Sequence, residues 1–174
     1  MNFDNIEYLK HGTDRQRQAY FILNNIQILS KLKSFDPILV GTIPLSIDIE
    51  SSDLDIICCF SDNHQFQKTI IDNFANEDHF KIREQHNING IAIVANFFIS
   101  DFEIEVFGQT IPSKQQFGYR HLVVEYNLLN NNDERFRQQI IELKHQGHKT
   151  ESAFASVLGL TGDPYIELLR YEGN

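Results

Sequence analysis

No stretch of the chain reaches the roughly eighteen consecutive apolar residues that a membrane span requires. The opening residues, Met1-Asn2-Phe3-Asp4-Asn5, lack the basic-then-apolar order of a secretory leader. These absences predict a cytoplasmic protein with no membrane partner. Cysteine is scarce: Cys58 and Cys59 are adjacent in an apolar segment, which cannot build a disulfide framework and suits a reducing compartment. Packing is the expected role of that pair. No run of lysine or arginine occurs, and 24 acidic residues outweigh 15 basic ones for a net charge of -9. Such a field disfavours nucleic-acid backbones as partners. Repeats, low-complexity tracts and Gly/Ser/Pro linkers are also missing, so residues 1–174 are read as one domain with a core of its own.

What the chain does have is alternation of helical and strand periods. Thr13 with Gln16 forms a capping-box pattern that predicts a helix over Asp14 to Leu23, and a shorter helix through Ile28, Leu29 and Leu32 ends near Ser34, before Asp36-Pro37. Strands are expected at Pro37–Val40 and Asp53–Phe60. Ser61-Asp62 then caps a helix with Phe66, Ile70, Ile71 and Phe74 on its apolar face. Lys81–Gln85 and Ile91–Phe98 read as strands of a hairpin turning at Asn87-Ile88-Asn89-Gly90, followed by a strand over Phe102–Phe107. The last third is helical. A second capping-box pattern, Ser113 to Gln116, opens a helix through Leu129; others start at Asp133, at Thr150 or Glu151, and at Asp163-Pro164. The expected fold is α/β (α+β), a mixed sheet flanked by helices, with a core at about 36–110 and a helical part at about 113–174.

The chemistry concentrates between Val40 and Phe60. Asp53 and Asp55 lie two residues apart at the start of a strand, so their side chains share a face about 7 Å apart. Unscreened carboxylates at that spacing repel each other, and a divalent cation between them relieves the cost. The strand from Phe102 to Phe107 alternates apolar and acidic residues, which places Glu103 and Glu105 on one face. Either has the parity of a third ligand, with Glu105 favoured because it sits deeper in the apolar part of the strand. Upstream, Gly41 permits close backbone approach to a phosphate and the Thr42 hydroxyl can donate to it. No arginine or lysine lies between Gly41 and Asp53, where Asp48 and Glu50 add negative charge. A phosphate-binding cation then comes from elsewhere, with Arg120, Lys144 and Lys149 as candidates. His121 and Glu125, four apart on one helix face, either reach the same cleft or pair with each other.

Val40-Gly41-Thr42, followed by Ser52-Asp53-Leu54-Asp55-Ile56, resembles the motif of the nucleotidyltransferase-fold (DNA polymerase beta-like) superfamily. Gly41-Thr42-Ile43-Pro44, Ile104 to Gln109, Tyr119-Arg120-His121, Lys149-Thr150-Glu151 and Gly162 to Tyr165 extend the likeness to a small uncharacterised bacterial family of that superfamily. The resemblance implies a nucleotidyltransferase that moves a nucleoside monophosphate from a nucleotide triphosphate to a small-molecule or protein hydroxyl. It also implies Mg²⁺ (or Mn²⁺) on Asp53, Asp55 and Glu105, and phosphate at Gly41, Thr42 and Ser52. Glu103, Arg120, His121 and Lys149 are accessory candidates. A catalytically silent binding module and a metal-dependent phosphohydrolase are the alternatives on the same residues.

Overall fold

A computed structural model describes residues 1–87 and 90–172. Strand β1 (Ile38–Val40), β2 (Leu54–Cys59), β3 (Asp78–Asn87), β4 (Gly90–Ile99) and β5 (Phe102–Gln109) form a five-stranded sheet in the order β1-β2-β5-β4-β3. Only β2 and β5 run parallel; the other neighbours are antiparallel. The expected mixed sheet with flanking helices is what forms. The hairpin turn expected at Ile88-Asn89 lies outside the described residues.

Strand parity divides the molecule into two cores. Leu54, Ile56 and Cys58 of β2 and Ile104 and Val106 of β5 point to one face. There they pack with Leu23 from α1 (Asp14–Asn25), Ile28 from α2 (Ile28–Lys31), and Phe66, Ile70 and Phe74 from α3 (Asn63–Phe74). Ile57 of β2 and Ile38 and Val40 of β1 point to the other. They meet Leu122 and Leu129 of α4 (Phe117–Asn131), Phe136 and Ile140 of α5 (Glu134–His145), Phe154 of α6 (Thr150–Leu158) and Leu168 of α7 (Pro164–Leu168). Asp53, Asp55, Glu103 and Glu105 share this second parity. The acids therefore lie on the face that the C-terminal helices cover at its β1–β2 end, and the opening between sheet and helices becomes a groove. Among the described residues no helix is long and apolar enough to cross a membrane.

Several local expectations change in detail. Ser113 does not cap α4: residues Ser113–Gln115 form a 3-10 turn, and the Ser113 hydroxyl donates to Asp36 O at 2.6 Å. Gln116 becomes the N-cap residue without a side-chain capping bond, because its carboxamide donates to Cys58 O and Ile111 O, each at 2.8 Å. Ile71 is 43% exposed rather than part of the buried face of α3, since it falls one helical step off the Phe66–Ile70–Phe74 row.

The first capping box does form, and it reaches further than the helix. Gln16 Oε1 accepts from Thr13 N at 3.0 Å, while its Nε2 donates to Ile43 O at 2.7 Å. One buried carboxamide thus fixes the start of α1 and the turn after β1. Gln16→Ala is expected to lower stability by about 1–3 kcal/mol, because it removes both bonds of a buried carboxamide. Urea denaturation should show a lower midpoint at unchanged slope.

Candidate functional site

The site begins at the end of β1. Gly41 has φ +80, a conformation that disfavours any side chain, and a Cβ there would overlap the Asp55 carboxylate. Beyond it, Thr42 O accepts the backbone N–H groups of Leu45 and Ile47 at 3.1 and 3.3 Å, closing a tight turn. The Thr42 hydroxyl donates to Ser52 Oγ at 3.2 Å, and Ser52 Oγ also accepts Ile49 N at 2.9 Å. The two hydroxyls expected at a phosphate thus sit together at the rim of the groove. Gly41→Ala is expected to cost about 1–2 kcal/mol from the backbone alone, with further loss from displacing Asp55; denaturation midpoints would show it.

The connection from Ile43 to Ser52 carries no basic residue of its own, yet it is strapped by cations from elsewhere. Arg15 of α1 donates to Ser52 O at 3.3 Å and stacks its guanidinium 4.0 Å from the Phe102 ring. Arg137 of α5 donates to Leu45 O at 2.5 Å, and Lys144 to Ile47 O at 2.7 Å. Of these three, Lys144 is the one that lines the groove with the acids.

The acids form part of one row across the sheet. Asp55 is paired in register with Glu105, Glu105 with Asn96, and Asn96 with Lys81. Asn96 Nδ2 donates to Glu105 at 3.2 Å and Glu103 at 3.1 Å, and Arg83 lies 3.9 Å from Glu105. Asp53, Asp55 and Glu105 line a groove of about 800 Å³ with Gly41, Thr42 and Ser52, whereas Glu103 faces the Arg83 side of the sheet. Of the two acids with the right parity, Glu105 is thus the one beside Asp55.

Burial, reinforced by Asp53, Glu105 and Glu151, pushes the Asp55 carboxyl up to about 8 from its ordinary 3.8. Burial and then Glu103 also raise Asp53. Without a cation the site thus resists ionising its own carboxylates. Among the described residues no three His, Cys, Asp or Glu side chains close on a common point as a metal cage. An open row of carboxylate oxygens suits Mg²⁺ nonetheless, because that ion keeps several waters and takes substrate phosphate oxygens as its remaining ligands. Mn²⁺ accepts the same donors.

The helical wall supplies the rest. Lys144, buried, has its ammonium lowered to about 8 by burial, against the pull of Asp48, Glu125, Asp53 and Asp55. It completes the buried row Phe136–Ile140–Lys144 of α5, and a lysine at that spacing in an apolar stripe is the sequence signal for it. Lys149 also lines the groove; Arg120 does not, since its guanidinium is held by Glu172 at 2.7 Å. His121 does not pair with Glu125. Its Nε2 meets Tyr165 O at 2.9 Å, so the ring donates there, and Nδ1 faces Glu151 at 3.7 Å. Glu151, Tyr165, Gln109 and Gln116, which the motif does not name, line the same groove.

Residues 21–171 match a family model described as a domain of unknown function, DUF4269. No curated protein matches. Among solved structures, the GLD-2/RNP-8 complex superposes with a TM-score of 0.54 at 14% identity, covering 88% of this chain and 61% of that one. A cytoplasmic RNA terminal U-transferase gives 0.52 at 13% identity, covering 90% and 46%. The Cid1 poly(U) polymerase with MgGTP bound gives 0.55 at 9% identity, covering 80% and 46%. The chain thus spans about half to three-fifths of the length of these structures. The sheet and its flanking helices are those of a nucleotidyltransferase-like fold.

Proposed function

The chain belongs to the DUF4269 family, and from that premise and its fold we propose that it is a nucleotidyltransferase. It would transfer a nucleoside monophosphate from a nucleotide triphosphate, in a Mg²⁺- or Mn²⁺-dependent reaction, to a hydroxyl of a small molecule or protein. The observation that carries this reading is the row in which Asp55 stands in register with Glu105 beside Asp53, three acids on one face whose burial and mutual repulsion raise Asp55.

Asp53, Asp55 and Glu105 would hold the ion, which when bound neutralises charge on the transferred phosphoryl group and orients it. Gly41 brings backbone close to phosphate, Thr42 and Ser52 offer hydroxyls, and Lys144 and Lys149 place positive charge across the groove. In the transfer step the acceptor oxygen forms a bond to the α-phosphorus while the bridging bond to the β-phosphate oxygen breaks. Pyrophosphate leaves with that electron pair, and the hydroxyl proton passes to a neighbouring carboxylate. The net charge of -9 supports a small-molecule or protein acceptor over a nucleic acid.

The test is incubation with each labelled nucleotide triphosphate and Mg²⁺ or Mn²⁺, following pyrophosphate and a nucleotidylated product. Pyrophosphate formed together with such a product is the expected result. Release of nucleotide to water without an acceptor would point to a phosphohydrolase. Nucleotide binding without turnover would identify a silent module, a reading favoured by one observation: Arg15 and Arg137 are committed to loop carbonyls rather than to the groove.

A further inference from the structure

The helical wall of the groove carries negative charge that the acid row does not account for. Glu125, on α4, is only 4% exposed and lines the groove, yet among the described residues its carboxylate has no hydrogen-bond or ion-pair partner within reach. Its neighbour in charge is Glu151 of α6, and Lys144, the one nearby cation acting on it, is already bonded to Ile47 O. A carboxylate buried in this way is costly unless something brings it a donor.

Gln116 and Gln109, 2% and 5% exposed, each leave a side-chain Oε1 without a partner, but both oxygens are enclosed by the wall itself rather than open to the groove. The unpaired acceptor that lines the groove is the Glu125 carboxylate, and a buried acceptor without a donor is rare in folded proteins. What completes it has to bring N–H or O–H donors, and beside Glu125 and Glu151 it also has to be positive. The triphosphate of a metal-bound nucleotide does not supply that charge at this wall, because its own negative charge belongs with the acid row and with Lys149.

We propose that the groove beyond the acid row is the acceptor subsite, and that the acceptor is a hydroxyl compound bearing a protonated amine, whose ammonium sits at Glu125 and Glu151. The assignment rests on the nucleotidyl-transfer reading for the word acceptor, but amine binding itself does not require turnover. Tyr165 and His121, which stand over Glu151, border the same pocket and restrict its size. A single site thereby combines a carboxylate row for the metal and phosphate with a separate carboxylate pair for a cation.

Calorimetric titration of the nucleotide-free protein with glucosamine, set against glucose as its uncharged counterpart, tests the assignment. Glucosamine is expected to bind and glucose to bind at least about tenfold more weakly. Glu125→Gln and Glu151→Gln should each weaken glucosamine by at least about tenfold, while Glu142→Gln, an exposed control on α5, leaves it unchanged. Both wild type and Glu125→Gln should keep the same thermal shift with Mg²⁺ and nucleotide triphosphate. Equal binding of the two sugars, or glucosamine affinity unaffected by Glu125→Gln and Glu151→Gln, would overturn the amine subsite. Amine binding that depends on Glu125, in a protein that releases no pyrophosphate with any nucleotide, would uphold the subsite and overturn the transfer reading.

Discussion

Asp55→Asn is expected to reduce nucleotidyl transfer by roughly 10³-fold or more, and at the same time to raise the melting temperature of the metal-free protein. The loss follows from position. Asp55 stands between Asp53 on its own strand and Glu105 in register on the next, under the Gly41 turn, so it is the carboxylate that every other part of the row faces. An asparagine keeps the shape and offers one neutral oxygen, which is a poor ligand for Mg²⁺ and adds no negative charge to the row. The gain in stability follows from the same surroundings. Burial and the acids around it hold the Asp55 carboxyl near 8, so at neutral pH the folded state keeps a proton that the unfolded chain has released. A neutral amide removes that difference. Thermal melts in EDTA and in Mg²⁺ separate the two effects: the variant should melt higher than wild type in EDTA and gain nothing from Mg²⁺. A variant less stable than wild type in EDTA would show that Asp55 is satisfied by the protein alone, and the metal reading would fall with it.

The parts of this arrangement that could be read from the sequence are those governed by short-range periodicity. Period two in Leu54-Asp55-Ile56 and Ile104-Glu105-Val106 puts the acids on a face, and the capping box at Thr13 and Gln16 forms as its spacing predicts. Parity alone could not choose Glu105 over Glu103; the choice comes from strand order, which sets β5 beside β2 and Glu105 level with Asp55. The missing positive charge has a similar explanation. Reading between Gly41 and Asp53 finds no cation because the cations arrive from α1 and α5, more than thirty residues away in one case and about a hundred in the other: Arg15 reaches Ser52 over 37 positions and Lys144 reaches Ile47 over 97. Ser113 shows the limit from the other side. Its pattern with Gln116 is a valid local cap, but Asp36 O and Cys58 O, both distant in sequence, take the two side chains instead.

The metal-free protein is expected to pass through a minimum of stability near pH 8, and Mg²⁺ is expected to fill that minimum in. Asp55 has a folded value raised from 3.8 to about 8, so its stabilising contribution is complete below 3.8 and is lost as pH rises toward 8. Glu125, raised by burial and then by Glu151, acts in the same direction. Lys144 is lowered from 10.5 to about 8, so the folded state loses a proton before the unfolded one and stability recovers between 8 and 10.5. Each fully unmatched proton changes stability by about 1.4 kcal/mol per pH unit, large beside the usual margin of a domain this size. Binding of Mg²⁺ requires Asp55 ionised, so the ion stabilises little at pH 5 and progressively more toward pH 8, with protons released on binding. Urea midpoints at pH 5 to 10 in EDTA and in Mg²⁺ would trace both curves. Asp55→Asn should flatten the acid arm and Lys144→Met the alkaline arm. A wild-type profile that is level from pH 5 to 8 in EDTA would mean that the row has no electrostatic stress for a cation to relieve.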